Sequence, residues 1–324
     1  MTIKKCMENI DIEKRLNAIL SLAVKNNASD IHFAQKYEQT DISMRINNTM
    51  RRVKSKVGDD KLIRYLQYRS NVDLGSLSPQ TGQFEVLYGE NILSLRFAVI
   101  NTYNATNGVL RILNSNLKVE ADKLSKLKSQ NEYFKKLLKQ DNGLILFSGA
   151  TGSGKTTTLY SLLKSVDGSI IYTIEDPIEV VNDKFVQLQI NERIGFDYEA
   201  GIKQIMRHDP DIIMVGEIRD DKAAKMALRA ANTGHLVLST IHASSVASTI
   251  DRMVDLGVSE EYLYEMLICL VHQKMIINRS GEKVVIYEVM DKDEIDYYRR
   301  FKKHSDTFLS IDKQIKEGIE NGIY

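Results

Sequence analysis

The sequence predicts an α/β protein of two domains, in which the larger domain holds a mainly parallel β-sheet. Length supports two domains, because domains run about 100 to 200 residues and this chain has 324. Short, nearly all-apolar runs separated by helical patterns indicate parallel strands covered on both faces. These runs are GLILFSG, SIIYTIE, DIIMVGE and HLVLSTI.

The N-terminal third has a different pattern, typical of a small α+β domain. Apolar residues at helical spacing predict an amphipathic helix, namely Ile12, Leu16, Ile19, Leu20 and Ala23. Alternation of apolar and polar residues predicts strands in SDIHF, DISMRI, QFEVLY and ILSLRFAVI. The segment DDKLIRYLQYR between them predicts a second helix.

A polar stretch, LNSNLKVEADKLSKLKSQ, lies between the two patterns and has no sustained apolar period. Charge changes across it, with 16 basic and 11 acidic residues in 1–117 but 28 and 32 in the rest. We expect an N-terminal domain at 1–117, a linker at 118–128, and at 129–324 the larger domain, ending in a helical part. The alternative is a single domain with a long surface excursion.

Composition excludes several classes of protein. A net charge of +1 argues against a dedicated polyanion binder. No apolar stretch approaches the roughly 18 residues of a membrane span, and the N-terminus lacks an apolar signal core, so a cytosolic location is expected. The two cysteines, Cys6 and Cys269, are too few for a disulfide framework or a cysteine zinc site. Cys269 is expected in an apolar helix.

The strongest motif is a P-loop, G-x-x-x-x-G-K-T, after an apolar strand and before an amphipathic helix. Its backbone N–H groups and the helix N-terminus would bind phosphate. Lys155 would neutralise the β and γ phosphates, and Thr156 would offer its hydroxyl to Mg²⁺. The alternative is a tight glycine-rich turn. The predicted nucleotide-binding residues are Gly149, Ala150, Thr151, Gly152, Ser153, Gly154, Lys155, Thr156 and Thr157. ATP and Mg²⁺ are the predicted cofactors.

A carboxylate follows the apolar run DIIMV and suggests a catalytic base. Gly216 stands where comparable strands usually carry the metal-shell aspartate, so Glu217 is the better candidate to polarise the attacking water. Glu217 could also hold Mg²⁺, directly or through water. Its alternative explanation is an acidic residue stabilised at a helix N-terminus.

Three carboxylates, Glu175, Asp176 and Glu179, cluster around Pro177. They repel one another unless a cation or a basic group is near, and a magnesium nucleotide would supply one. Glu175 is therefore a candidate for catalysis and for Mg²⁺ binding. The alternative is a solvated acidic loop.

Two histidines flank the run LVLSTI. His235 precedes the predicted strand, whereas His242 follows it, in the position where open parallel sheets bind ligands. His242 could therefore sense the γ-phosphate, although a lone histidine is usually structural. Nothing at metal-ligand spacing accompanies either residue, so zinc is not expected.

Four segments together resemble the motifs of the secretion ATPases that drive type II secretion, type IV pili and competence pseudopili. GATGSGKT, TIEDPIE, HDPDIIMVGEIRD and STIHAS resemble, in the same order, the Walker A, Asp-box, atypical Walker B and His-box motifs. SDIHF resembles the opening of that family's second N-terminal domain. The resemblance spans residues 15–290. It implies a RecA-like P-loop ATPase domain preceded by a PAS-like α+β domain, and a ring of six identical subunits.

The resemblance also implies two arginines that reach the nucleotide phosphates. ILSLRFAVI and GVLRILN match the family segments that carry them, which selects Arg96 and Arg111. Without the resemblance, each would be interpreted as an outward strand residue. NATNGVLRIL is shorter than the family stretch and lacks its glutamate after glycine, which weakens the assignment of Arg111.

Two features point to a subfamily. Between its last apolar strands the chain lacks the paired C-x-x-C module of export and pilus-extension ATPases, and it retains IYEVM. It thus looks most similar to the competence ATPases of Gram-positive bacteria, the ComGA type, with pilus-retraction ATPases as the alternative. The implied partners are an inner-membrane platform protein and, indirectly, pilins, at the inner face of the cell membrane. ATP hydrolysis would drive motion between the two domains.

Two other classes of function stay open. A RecA-like nucleic-acid translocase shares the P-loop sheet, but the chain has no tryptophan and no basic stretch interleaved with aromatic residues. The basic segment RRFKKH at 299–304 is better explained as a solvated helix face. No direct nucleic-acid contact is therefore expected. A nucleotide-gated scaffold that does not hydrolyse ATP is the other class.

Overall fold

The computed structural model describes residues 2–37, 39–46, 49–75, 77–89, 91–113, 119–279 and 281–320. The chain divides into two compact units. The N-terminal unit is Met1–Asn116 with Glu179–Val181, and the C-terminal unit is Leu117–Ile178 with Asn182–Tyr324.

An antiparallel sheet and two helices form the N-terminal unit. The helices are α1 (Thr2–Lys25) and α2 (Leu62–Arg69). The strands are β1 (Asp30–Lys36), β2 (Gln39–Ile46), β3 (Thr49–Val53), β4 (Gln80–Tyr88), β5 (Asn91–Asn101) and β6 (Thr106–Leu113). Their order in the sheet is β3-β2-β1-β6-β5-β4. This unit matches the predicted α+β pattern. The strand β3 was not predicted, because its sequence, TMRRV, does not alternate between apolar and polar residues.

The helical spacing in the first segment is confirmed by burial. Leu16, Ile19, Leu20 and Ala23 of α1 are each at most 1% exposed. They share one core with Ile31 and other apolar residues of the strands. The apolar stripe of the helix therefore covers one face of the sheet.

A seven-stranded, mainly parallel sheet organises the C-terminal unit. Its strands are β7 (Gly143–Ser148), β8 (Ile171–Glu175), β9 (Phe185–Gln189), β10 (Ile212–Ile218), β11 (Leu236–Ile241), β12 (Leu267–Ile277) and β13 (Lys283–Met290). Their order is β13-β12-β7-β11-β10-β8-β9. All pairs are parallel except β12 with β13. The predicted α/β fold with a mainly parallel sheet is confirmed.

Helices accompany this sheet along the chain. They are α3 (Lys128–Leu137), α4 (Lys155–Lys164), α5 (Tyr198–Ile205), α6 (Asp221–Asn232), α7 (Val246–Asp255), α8 (Glu260–Met266), α9 (Lys292–Phe301) and α10 (Ile311–Glu320). Every residue of β7 and of β11 is buried. These two neighbouring strands are covered on both faces, which explains their nearly all-apolar sequences.

The expectation that Cys269 lies in a helix is wrong. Cys269 lies in β12, which pairs with β7 on one side and β13 on the other. A short apolar run does not distinguish a buried strand from a buried helix by its period alone. The sheet decides here, because β12 satisfies its backbone groups through the two neighbouring strands.

Polar side chains organise the stretch predicted as a linker. Residue 118 lies outside the described residues, and Ala121–Lys123 forms a 3₁₀ turn. Asn131 of α3 accepts from the Ser125 backbone N–H at 2.8 Å and donates to the Asp122 carbonyl at 2.7 Å. These hydrogen bonds stabilise the conformation of this segment, which has no apolar period.

Within the ranges described above, no helix combines the length and the apolar character needed to cross a membrane.

Candidate nucleotide-binding site

Four parallel strands of the C-terminal unit end at the same edge of the sheet, and each brings a predicted residue there. β7 leads into Gly149, β8 ends at Glu175, β10 carries Glu217 near its end, and β11 is followed by His242. The carboxyl edge of an open parallel sheet is where ligands bind. The fold therefore collects at one edge residues that lie up to 93 positions apart in sequence.

The P-loop connects β7 to α4 by a path that requires glycine. Gly149, Gly152 and Gly154 have φ of 145°, 80° and 90°, which L residues with a side chain rarely adopt. Gly154 precedes α4 without a side-chain cap. The N–H groups of the first helical turn are thus left to bind an anion.

The remaining loop residues suit a phosphate group. Ala150, Thr151 and Gly152 are exposed, while Thr156 and Thr157 are half-buried in the first turn of α4. The Ser153 hydroxyl is buried and has no hydrogen-bond partner among the described residues. A buried hydroxyl without a partner costs free energy, and a bound phosphate oxygen would satisfy it.

Lys155 is buried and folds back onto the loop. Its Nζ donates to the carbonyl oxygens of Gly149 at 2.7 Å and Ala150 at 3.1 Å. Burial lowers the pKa of Lys155, and the negative charge of Glu217 partly opposes this. The ammonium group is therefore held at the loop in an environment where an anion would stabilise its charge.

Glu217 and His242 form a direct pair. His242 Nε2 lies 2.8 Å from Glu217 Oε1, and His242 Nδ1 lies 3.2 Å from the carbonyl oxygen of Gly149. That carbonyl also accepts from Lys155. One chain of contacts thus joins the proposed base, the imidazole and the P-loop lysine.

Arg219 holds the other oxygen of Glu217, a contact that the sequence analysis missed. Arg219 Nε donates to Glu217 Oε2 at 2.6 Å, and its guanidinium also lies 3.4 Å from Asp176 Oδ2. A basic group thus partners both Glu217 and Asp176. The spacing of GEIRD, with an arginine two residues after the glutamate, was the available signal.

Glu175 is buried and bonded to hydroxyl groups. Its Oε1 accepts from Tyr160 at 2.6 Å and from Thr173 at 2.7 Å. Gly216 lies against it, because a Cβ at position 216 would be 3.1 Å from Glu175 Cγ. The glycine in place of the usual aspartate therefore makes room for Glu175.

The described residues contain no cluster of three or more His, Cys, Asp or Glu side chains that could hold a metal ion. For Mg²⁺, the fitting feature is the Thr156 hydroxyl at the helix start beside the loop, because Mg²⁺ usually keeps several waters and takes few protein ligands. Glu175 and Glu217 already have hydrogen-bond or ion-pair partners, so their contact with the ion would be through water.

A cavity of about 660 Å³ opens beside the loop. P-loop residues and the segment His242–Ser244 line one part, and His272–Met275 of β12 lines the rest. His272 Nδ1 lies 3.1 Å from the Ser148 hydroxyl. Burial lowers the pKa of His272 despite the nearby charge of Glu288. The cavity volume of about 660 Å³ suits a nucleotide. No sequence motif indicated these residues of β12.

Arg96 and Arg111 both belong to the N-terminal unit, where they are cross-strand neighbours on β5 and β6. Arg111 Nε donates to Asp30 Oδ1 at 2.8 Å. Arg45 stands opposite Asp30 on β2. The register thus aligns three arginines and one aspartate across this sheet, and Arg45 was not predicted.

A P-loop on a mainly parallel sheet, with a carboxylate and an imidazole at the same edge, defines the chain as a P-loop ATPase. The chain belongs to the family described as type II/IV secretion system protein, whose model matches residues 6–305.

Curated relatives support the same family. The chain is 36% identical over 273 residues to the competence protein ComGA of Halalkalibacterium halodurans, covering 82% of this chain and 78% of the relative. It is 34% identical to ComGA of Bacillus subtilis, with 82% and 76% covered. It is 31% identical to the type II secretion system ATPase E of Vibrio cholerae, with 91% of this chain but 60% of that protein covered.

Solved structures share the fold. The Legionella pneumophila ATPase DotB superposes with a TM-score of 0.76 at 23% identity, covering 95% of this chain and 92% of that one. The pilus retraction motor PilT with bound ADP gives a TM-score of 0.69 at 24% identity, covering 93% and 96%.

Proposed function

We propose that this chain is the cytoplasmic motor that powers assembly of a competence pseudopilus for DNA uptake. The observation that carries the proposal is the likeness to two ComGA proteins at 34–36% identity over about three quarters of their length. The absent C-x-x-C module and the retained IYEVM point the same way. The motor would be a ring of six copies at the inner face of the membrane.

ATP binding would use the P-loop and Lys155. The loop N–H groups and the Ser153 hydroxyl would donate to phosphate oxygens. Lys155 would exchange the carbonyls of Gly149 and Ala150 for the β and γ phosphates. This exchange is favourable because it gives a desolvated cation an anionic partner. Mg²⁺, held by Thr156 and through water by Glu175 and Glu217, would supply positive charge at the phosphates.

Hydrolysis would use Glu217 as the base. The water oxygen would attack the γ-phosphorus, its proton would pass to Glu217, and the bond to the bridging oxygen would break with its electrons leaving on ADP. Each oxygen of Glu217 has one partner, His242 or Arg219, and keeps a second lone pair that would accept the proton of the water. Because His242 also contacts the Gly149 carbonyl, a phosphate that moves this loop would be sensed at Glu217.

Arg96 and Arg111 are proposed to neutralise charge that develops on the γ-phosphate, an effect that for arginine fingers reaches about 10³ to 10⁵ in rate. Turnover would be coupled to motion between the two units and would displace an inner-membrane platform protein, which then adds pilins. No direct contact with nucleic acid is proposed.

The first test is turnover by the purified protein with and without the platform protein in vesicles. We expect Glu217→Gln to bind ATP but to release phosphate about 10² to 10⁴ times more slowly, the range for general base catalysis. Lys155→Ala should lose both binding and turnover. Near-normal phosphate release by Glu217→Gln would show that Glu217 is not the general base. A wild-type protein that binds ATP without turnover would favour a nucleotide-gated scaffold.

The second test separates assembly from retraction in cells. Deletion of the gene should abolish surface pseudopili and DNA uptake. Complementation by the wild type, but not by Glu217→Gln, should restore both. Cells that keep or accumulate filaments after deletion would instead identify a retraction motor, and salt-dependent DNA binding by the purified chain would favour a translocase.

A further inference from the structure

One buried glutamine contacts both ends of the P-loop. Gln273 lies on β12 directly beside the end of β7, where His272 is in register with Ser148. Its side chain is 1% exposed. A buried amide is costly unless both its donor and its acceptor are bonded. The hydrogen-bond partners of Gln273 therefore show which segments this side chain holds in place.

The amide of Gln273 bonds at both of its atoms. Its Nε2 donates to the carbonyl oxygen of Ser153 in the loop, and its Oε1 accepts from the Thr158 hydroxyl of α4 at 2.9 Å. The Thr158 proton is thereby used, so Tyr287 is the donor in the 3.0 Å contact between the two hydroxyls. These partners fix the orientation of the Gln273 amide. If its oxygen and nitrogen were exchanged, the Gln273 oxygen would lie against the carbonyl oxygen of Ser153, and neither atom could donate.

The bond to Ser153 sets the direction of the next N–H group. In a trans peptide the C=O of one residue and the N–H of the next point in opposite directions. With the Ser153 carbonyl held against Gln273, the N–H of Gly154 points away from β12. Anion-binding loops depend on such N–H groups facing the ligand while carbonyls face away.

The backbone of Gln273 restrains the other end of the loop. A Cβ on Gly149 would lie 2.3 Å from the Gln273 carbonyl oxygen, and a Cβ on Gly154 would lie 3.1 Å from its Nε2. Gly149 and Gly154 therefore pack directly on this one residue. The loop conformation depends on β12 as well as on its own glycines.

We propose that Gln273 is a positioning residue for nucleotide binding, which holds the P-loop in its phosphate-binding conformation through Ser153 and Thr158. This inference rests on the proposed function, because the loop must bind nucleotide. The P-loop conformation that Gln273 holds would stabilise bound ATP and the transition state equally. Loss of Gln273 should therefore raise KM and leave kcat nearly unchanged.

The test compares variants of Gln273 and Thr158 by ADP titration and by ATP turnover. Gln273→Met nearly keeps the length and volume of the side chain but removes both hydrogen bonds of the side-chain amide. Thr158→Val removes the hydroxyl at nearly constant shape, and Thr158→Ser restores it. Ser161→Ala is the matched control, because Ser161 is a buried residue of α4 whose hydroxyl donates to the Thr157 carbonyl at 2.8 Å instead.

We expect the Kd for ADP to rise about tenfold in Gln273→Met and Thr158→Val, with Thr158→Ser and Ser161→Ala near the wild type. A purely structural role would lower the melting temperature but leave the Kd of the folded fraction unchanged. Unchanged Kd and KM in Gln273→Met and Thr158→Val would overturn the inference. If Gln273→Met does not fold, Thr158→Val against Thr158→Ser decides. A wild type that binds no ADP would overturn the proposed function together with this inference.

Discussion

His242 Nε2 lies 2.8 Å from Glu217 Oε1, and the opposite ring nitrogen lies 3.2 Å from the carbonyl oxygen of Gly149. The carbonyl oxygen and the carboxylate oxygen both accept, so each ring nitrogen faces a hydrogen-bond acceptor. The imidazole thereby links the carboxylate on β10 to the first residue of the P-loop. A change in the loop can alter the position of the proposed base through this one side chain.

We predict that His242→Ala slows ATP turnover about tenfold or more, with a smaller effect on nucleotide affinity. A hydrogen bond to a charged group contributes about 1.5–3 kcal/mol, and 1.36 kcal/mol corresponds to a factor of ten in rate. Steady-state phosphate release and ADP titration measure the two effects. The control is His235→Ala at the other end of β11, where the imidazole contacts Thr233 and the Ala230 carbonyl. Equal losses in both variants would contradict a role of His242 in the site.

We predict that Tyr160→Phe lowers the free energy of unfolding by about 1.5–3 kcal/mol. The change removes a 2.6 Å donor from the buried carboxylate of Glu175, and a buried charge that loses a partner is costly. Chemical denaturation measures the difference. Tyr172→Phe on β8, where the half-buried ring lies near His208, should change stability by less than about 0.5 kcal/mol. Equal stability of Tyr160→Phe and the wild type would refute the prediction.

We predict that Asp30→Asn lowers stability near neutral pH but not in acid. Burial alone would raise the pKa of Asp30, but hydrogen bonds from Arg111 and Ser29 and the charge of Arg111 outweigh it, and the pKa is lowered. A carboxylate with a lowered pKa stabilises the fold above its unfolded pKa, and this stability is lost as pH falls through the folded pKa.

The expected loss for Asp30→Asn is about 1 kcal/mol at pH 7, since solvent screens the half-exposed Arg111. The difference from the wild type should shrink below about pH 4. Urea unfolding at several pH values measures it, with Asp41→Asn on the exposed side of β2 as the control. A difference that is constant with pH would show that the ion pair is not its source.

We predict that the thiol of Cys269 does not react in the folded protein. Cys269 is fully buried on β12, and burial raises the pKa of its thiol. The thiolate is the reactive species, so both access and ionisation are suppressed. Alkylation followed by peptide mass analysis should find this cysteine unmodified until denaturant is added. Rapid modification under native conditions would mean that β12 opens readily.

Local patterns were sufficient for several parts of the fold. The spacing of Leu16, Ile19, Leu20 and Ala23 predicted a buried helix face, and the apolar runs predicted four strands of the parallel sheet. β9 was missed because FVQLQ is short and only partly apolar. The run around Cys269 was assigned to a helix because its sequence alone does not show that β7 and β13 lie on either side.

The sequence by itself determined the P-loop, since its glycines, lysine and threonine occupy fixed positions within eight consecutive residues. It also determined the fold class, because apolar periodicity is a local property. Only the tertiary structure decided which distant side chains complete the site. His242 beside Glu217, His242 against Gly149, and Gln273 against Ser153 depend on the order β12-β7-β11-β10 in the sheet. Strand order is set by packing between segments far apart in the chain, and no local pattern encodes it.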